Sequence, residues 1–387
     1  MTQQPGERSA DFQLGDCPHC GERVPAGAFC GNCGQVLGEP ERRGRLHAYA
    51  ASPGEHVMRP ALISTLFPHL AHRHANLFRE AFGVGVLVVI LLAALRLYTS
   101  ALIAAAVLLP ILYLLYLYEV EVYEEQPAAV VLATFVAGAA LGTGYQLVSA
   151  HFSGVALSGT VRGPLVSGVV QPVIAQLLML LGPLLLLSRS EFDEPLDGLT
   201  FGVTSALGFT LAAVLTGYWH TFTEPLQGTG AVSAQEVLRL LRAGILVALV
   251  NSCTTATITT MLWADRYAGT PRRRAGGWRG RNATIALAFA TQVALALGSY
   301  YVGSLLGLVL LWAFAAVVLL VWLRVLLHHA LLDEGVELHI GDVAPCPECH
   351  RMVPAMRFCP ACGMHRGAAR KQDRVTRGDT GMAPSHG

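Results

Sequence analysis

From Phe82 to Leu327 the chain runs in long apolar stretches with polar residues gathered at their ends, rather than alternating with them. Eight stretches come close to the ~20 residues that a helix needs to cross ~30 Å of hydrocarbon. Their approximate limits are 82–98, 100–118, 127–149, 165–188, 198–220, 237–263, 283–301 and 303–327, with only Gly298 to Gly303 dividing the last two. The pattern predicts an all-α polytopic membrane protein of about eight transmembrane helices, filling residues 81–330. Gly138 with Gly142, Gly198 with Gly202 and Gly303 with Gly307 each place two small residues one turn apart, the spacing that lets helix backbones approach. Upstream, residues 60–80 mix Leu62, Leu66, Phe67 and Leu70 with His69, His72, Arg73 and His74, which suits a helix lying at the membrane surface. The three histidines read as a solvated face, because His72 and His74 point apart on a helix. Residues 38–59 are rich in Gly, Pro and Arg without any period and read as a linker, so 38–80 is linker and juxtamembrane segment and 367–387 a disordered tail. Met1 to Asp16 is polar, without a signal-peptide run, which leaves membrane targeting to the internal spans.

The two ends carry a different chemistry. Cys17-Pro18-His19-Cys20, nine residues, then Cys30-Gly31-Asn32-Cys33 matches Cys346-Pro347-Glu348-Cys349, nine residues, then Cys359-Pro360-Ala361-Cys362. Val24-Pro25-Ala26 recurs as Val353-Pro354-Ala355, Phe29 as Phe358 and Gly34 as Gly363, all at equal offsets. The units, 14–37 and 343–366, resemble the zinc ribbons found at the ends of bacterial membrane proteins. Each offers four thiolates from two turns, the set for a closed tetrahedral zinc with no open position, so two structural zinc ions are expected. A unit this small cannot fold on core burial alone, which makes metal binding its folding energy. Reduced thiolates imply the cytosol. Asp16, Glu22 and Arg23 in one unit, and Glu348, Arg351 and Arg357 in the other, make neither face strongly basic. A protein contact, one ribbon on the other or on a partner, is therefore favoured over nucleic acid. The ninth cysteine, Cys253, stands alone in a span.

Composition agrees: 53% hydrophobic against 14% charged excludes an ordinary soluble enzyme, and mean hydropathy is +0.48. A net charge of +1 argues against a binder held by bulk charge. Lys371 is the single lysine among 27 basic residues, a bias of GC-rich bacterial genomes. Arg73, Arg79, Arg189, Arg266, Arg272, Arg273, Arg274, Arg279 and Arg281 fall on one side of the predicted spans, whereas Arg96, Arg162, Arg239 and Arg242 fall on the other. By the positive-inside rule the chain is a multi-pass protein of the bacterial inner membrane, with both termini cytoplasmic.

Ser190-Glu191-Phe192-Asp193-Glu194-Pro195-Leu196-Asp197-Gly198-Leu199-Thr200-Phe201-Gly202, followed by Leu207-Gly208-Phe209, is the most informative text in the membrane domain. Together with Glu119 to Pro127, Phe135 and Gly138 it resembles the PrsW-type intramembrane metalloprotease family. The resemblance implies an EExxK helix, then a helix with FxxxE, and later one with HxxxD or HxxxN. Those slots fall here on Gln171-Pro172-Val173-Ile174-Ala175, on Phe209 to Ala213 and on Asn251 to Thr255, and none keeps a carboxylate or imidazole. The implied reading is a PrsW-like scaffold or protein-interaction module without catalytic residues, whose metal ligands are Cys17, Cys20, Cys30, Cys33, Cys346, Cys349, Cys359 and Cys362. The alternatives are an active intramembrane metalloprotease with displaced ligands and, behind it, a transporter or channel through the Thr-rich sixth span. His220 with Glu224 reads as interfacial beside Trp219, and Glu119, Glu121, Glu124 and Glu125 as a solvated helix end. Asn251 to Thr260 reads as interhelical glue, and Gln171 as satisfying a carbonyl freed by Pro172.

Overall fold

The computed structural model describes residues 13–18, 20–37, 49–52, 55–68, 76–120, 128–156, 162–189, 191–192, 194–219, 234–267, 277–333 and 340–368. The chain divides into two compact units, Pro60–Ala330, and Met1–Arg59 with Leu331–Gly387.

The first of these is helical: α1 (Leu62–Leu66), α2 (Asn76–Ala94), α3 (Tyr98–Val120), α4 (Ala128–Ala156), α5 (Arg162–Leu165), α6 (Gln171–Leu187), α7 (Pro195–Gly217), α8 (Ala234–Leu240), α9 (Val247–Tyr267), α10 (Gly277–Tyr301) and α11 (Leu305–Asp333). Single π-helical stretches, Val166–Val170 and Leu241–Leu246, join α5 to α6 and α8 to α9 into continuous rods. Pro172, which lacks an N–H, sits at the start of α6 directly after the first of them, where the ordinary ladder has to break. Among the described residues, six helical stretches are long and apolar enough to cross a membrane: Ala129–His151, Gly163–Leu187, Pro195–Gly217, Val237–Ala264, Gly280–Tyr301 and Leu305–Leu332. The first two expected spans fall on the shorter apolar stretches Glu80–Ala94 and Ser100–Tyr116. The break between the last two is real, since α10 ends at Tyr301 and α11 starts at Leu305.

Helix α7 is central, buried without interruption from Pro195 to Thr210. Small residues open both of its sides. A Cβ on Gly208 would collide with the Phe135 carbonyl of α4, and one on Gly138 or Gly142 with the Ser205 or Phe209 carbonyl of α7. Gly198 and Gly202 bring the other side of α7 onto Thr259 and Ala256 of α9. Such backbone approach supplies the dispersion and weak Cα–H contacts that must hold helices together where lipid removes the hydrophobic drive. The third glycine pair does no such work, because Gly303 meets nothing within 4 Å and Gly307 meets only its neighbours Ser304 and Val302. A reciprocal capping box starts α7: the Glu194 side chain accepts from the third helical N–H, and Asp197 accepts from the Glu194 N–H at 3.2 Å. Trp263 of α9 donates its indole N–H to the Phe192 carbonyl at 3.1 Å, which fixes the loop before that cap.

The surface-helix expectation for residues 60–80 is corrected where the chain is described. Helix α1 has one turn, and Ser64, Thr65, Leu66 and Phe67 are buried. The Phe67 ring packs edge-on to Tyr116 at 4.9 Å and tilted to Tyr113 at 5.7 Å, while buried Arg324 of α11 donates to the Ser64 hydroxyl. A cation and two hydroxyls satisfy one another here, so the segment is drawn inward. His69, His72 and His74 lie outside the described residues.

The second unit holds both chain ends. Antiparallel hairpins β1 (Leu14–Asp16) with β2 (Arg23–Pro25) and β3 (Gly341–Pro345) with β4 (Met352–Ala355) carry the first two cysteines of each motif in their turns. The ribbons pair with one another: the Phe29 N–H donates to the Pro360 carbonyl at 3.0 Å and the Phe358 N–H to the Gly31 carbonyl at 2.9 Å. Part of the expected linker joins this unit. Tyr49, Ala50, Ala51, Ser52 and Val57 are buried, and the Ala50 carbonyl accepts from the His365 N–H at 2.8 Å. The aperiodic sequence hid this because the buried residues sit in and beside a turn, not in a regular element.

Candidate functional site

Two kinds of site stand out, one at the chain ends and one inside the membrane domain. In each ribbon the four Sγ atoms lie within 4.8 Å of one another. Cys17 to Cys33 and Cys20 to Cys30 are 3.8 Å apart, and Cys346 to Cys362 and Cys349 to Cys359 are 3.8 and 3.9 Å. A tetrahedral ion with bonds of ~2.3 Å sets its sulfur ligands ~3.8 Å apart, so the quartets have the dimensions of a closed four-thiolate site and each can hold a metal ion. The Cys33 backbone N–H points at the Cys30 sulfur at 3.4 Å, and the Asn32 amide at the Cys20 sulfur at 3.8 Å, both favouring negative charge on sulfur.

Four thiols in so small a volume do not ionise independently. The thiol hydrogen bond from Cys33 pulls Cys30 down to about 5, and those from Cys346 and Cys362 pull Cys359 down to about 2. The donors Cys33 and Cys362 move the opposite way, far above the ordinary thiol range, because each gives its proton to a neighbouring sulfur. A divalent cation replaces those shared protons in a set of this kind. Burial holds Arg366 below the usual guanidinium value, partly offset by the attraction of Cys346 and Cys359 beside it. The matching position of the first ribbon is Leu37.

The turns that carry the cysteines explain why these residues recur. Gly21, Gly34 and Gly363, each directly after a second cysteine, have φ of 76°, 69° and 78°, and His350 takes the fourth such place at 58°. Each then returns its N–H to the carbonyl of the first cysteine of its pair, at 2.8 to 2.9 Å. The left-handed residue aims two sulfurs at one point.

Inside the membrane domain the structure gathers the three slots. Ala175 of the first and Ala213 of the second pack with Tyr145 and Leu178 around Met179, Ala206 and Phe209. Asn251 and Thr255 of the third join a hydrogen-bonded cluster that spans α6, α7, α9 and α10. Gln176 donates to Thr255 Oγ1 at 3.1 Å and accepts from Thr254 Oγ1 at 3.1 Å. Gln292 Nε2 lies 3.0 Å from Asn251 Oδ1, 2.9 Å from Thr254 Oγ1 and 3.3 Å from Gln176 Oε1. Asn251 donates to Thr210 Oγ1 at 2.9 Å. The expectation that the polar sixth span acts as interhelical glue fits these bonds. Gln176, Gln292 and Thr210 were not singled out from sequence. Their signal was there, since a glutamine within an apolar span is costly unless it finds a partner.

Other candidates separate. Cys253 is buried alone in α9. His220, Glu224, Glu121, Glu124 and Glu125 lie outside the described residues, as does the side chain of Glu119. Among the described residues, the clusters of three or more metal-ligating side chains are the two cysteine quartets.

A bundle of apolar helices around a buried polar centre, together with paired ribbons whose cysteine quartets can each hold a metal ion, defines a helical membrane protein. The model of the PrsW family intramembrane metalloproteases matches residues 126–327, and the chain belongs to that family. No curated protein and no solved structure matches it.

Proposed function

We propose that this chain is a non-catalytic member of its family, a scaffold of the bacterial inner membrane that offers two zinc ribbons to protein partners in the cytoplasm. The observation that carries this reading is the chemistry of the cluster where the slots converge. Activation of water by a metalloprotease needs a metal with an open position and a carboxylate that takes the proton. Gln176, Asn251, Gln292, Thr254 and Thr255 offer neutral amides and hydroxyls that already bond to one another, and Ala175 and Ala213 offer methyl groups. Amide oxygens are weak zinc ligands beside imidazole. What such a cluster does well is to fix helices in register.

Zinc is the ion we assign to Cys17, Cys20, Cys30 and Cys33 and to Cys346, Cys349, Cys359 and Cys362, because four soft thiolates in a closed tetrahedron suit it and leave no water to activate. The role is structural. Direct pairing of the ribbons supports placing both chain ends on one side of the membrane, and the arginine distribution supports the cytoplasm for that side.

Metal analysis of the purified full chain tests the proposal. Two zinc ions per chain are expected, with no cleavage of membrane substrates. A third ion, lost on replacing Gln176 or Asn251 by Ala and accompanied by cleavage, would establish an active intramembrane metalloprotease instead.

A further inference from the structure

The ribbons touch through matching parts. Phe29 and Gly31, which bond to the other ribbon, flank Cys30; Phe358 and Pro360, their counterparts, flank Cys359. Gly34 follows Cys33 and lies under the Phe358 ring, where a Cβ would come within 2.9 Å, and Gly363 follows Cys362 and lies under the Phe29 ring, where a Cβ would come within 2.7 Å. Gly27 meets Pro360, and Gly31 meets Met356, which is the same contact read in the opposite sense. The interface is isologous, as in a two-fold dimer, although both halves belong to one chain. Met356 of the second ribbon also completes the small core around Cys17, Val24 and Cys30 of the first.

We propose that the two ribbons form one metal-dependent clasp, in which the ion of either quartet builds the surface that holds the other, so that both ions load and leave together. The inference rests on the reading of the quartets as zinc sites. Every group at the contact lies in the second cysteine turn of its ribbon or within three residues of it. A turn of that kind owes its conformation to the metal, because so short a unit has too little core to hold it otherwise. Loss of one ion frees the left-handed glycine, the two main-chain groups beside the cysteine and the ring that covers the partner's turn. Coupling of this sort is reciprocal by thermodynamic necessity. Its consequence is that the two ends of the chain are tied only while both quartets are filled.

The test uses the full chain in detergent, loaded with zinc and titrated with EDTA, with retained zinc per chain measured by plasma mass spectrometry. Both ions should leave in a single cooperative transition. Cys346→Ser should retain far less than the one ion its intact first quartet could hold alone. Phe29→Ala keeps all eight thiols and should lower the release midpoint of both ions together by about tenfold, the effect usual for residues that support a metal site from outside. The clasp is overturned if Cys346→Ser holds one ion with the wild-type midpoint, or if Phe29→Ala shifts one ion only. Wild-type chain without zinc would overturn the zinc reading as well, whereas two ions released independently would leave that reading standing and remove the coupling alone.

Discussion

His350 occupies a place that the other three cysteine turns give to glycine, with φ of 58°. A side chain there crowds the following carbonyl and costs about 1–2 kcal/mol relative to the right-handed region, part of which glycine returns as chain entropy. His350→Gly should therefore stabilise the second ribbon by up to about 1 kcal/mol. The midpoint of zinc release by a chelator reads this out, and the change should move it upward. A downward shift would mean that the imidazole makes a contribution larger than the strain. Histidine in this place breaks the recurrence of the motif, so the sequence marked the position, but only the backbone angle gives the sign of the effect.

Among the elements, the crossing of α4 and α7 shows how much depends on which glycine is meant. Gly142 and Gly144 lie two residues apart on α4, yet a Cβ on Gly142 would strike the Phe209 backbone carbonyl while one on Gly144 would meet nothing within 4 Å. Backbone cannot move aside as a flexible side chain can, so Gly142→Ala and Gly208→Ala should each cost about 2–3 kcal/mol through overpacking. Gly144→Ala should be neutral or slightly stabilising, since alanine is the better helix former by about 1 kcal/mol. Thermal unfolding in detergent checks the contrast, and equal loss from all three substitutions would contradict the crossing. The pairing of Gly138 with Gly142 was legible as a period. That Gly303 and Gly307 share the period without the contact was not, because spacing says which residues share a helix face and not what that face meets.

At the scale of the molecule, the ribbons at opposite ends of the sequence bond to each other. Two ends that meet directly require an even number of membrane crossings between them, a condition that six or eight spans both satisfy. A periplasm-active reporter fused after Gly387 should stay silent, and one inserted near Gly228 should be active. Activity at both places would put an even number of crossings between Gly228 and Gly387, against the three apolar stretches Val237–Ala264, Gly280–Tyr301 and Leu305–Leu332.

The apolar runs, the breaks between them and the duplicated cysteines with their companion Phe and Gly are local patterns, and each survives translation into structure because hydrogen bonding within a helix, or metal binding within a short turn, needs only nearby residues. Helix class, the cysteine clusters near both ends and the family were therefore readable along the chain. The burial of Tyr49 to Ser52, the inward course of α1 and the pairing of Phe29 with Phe358 were not, since each depends on partners hundreds of residues away. The intramembrane cluster joins residues 38 to 116 positions apart, and only the packing of α6, α7, α9 and α10 brings Gln176, Asn251, Thr254 and Gln292 to one point, where each amide finds the partner that hydrocarbon denies it.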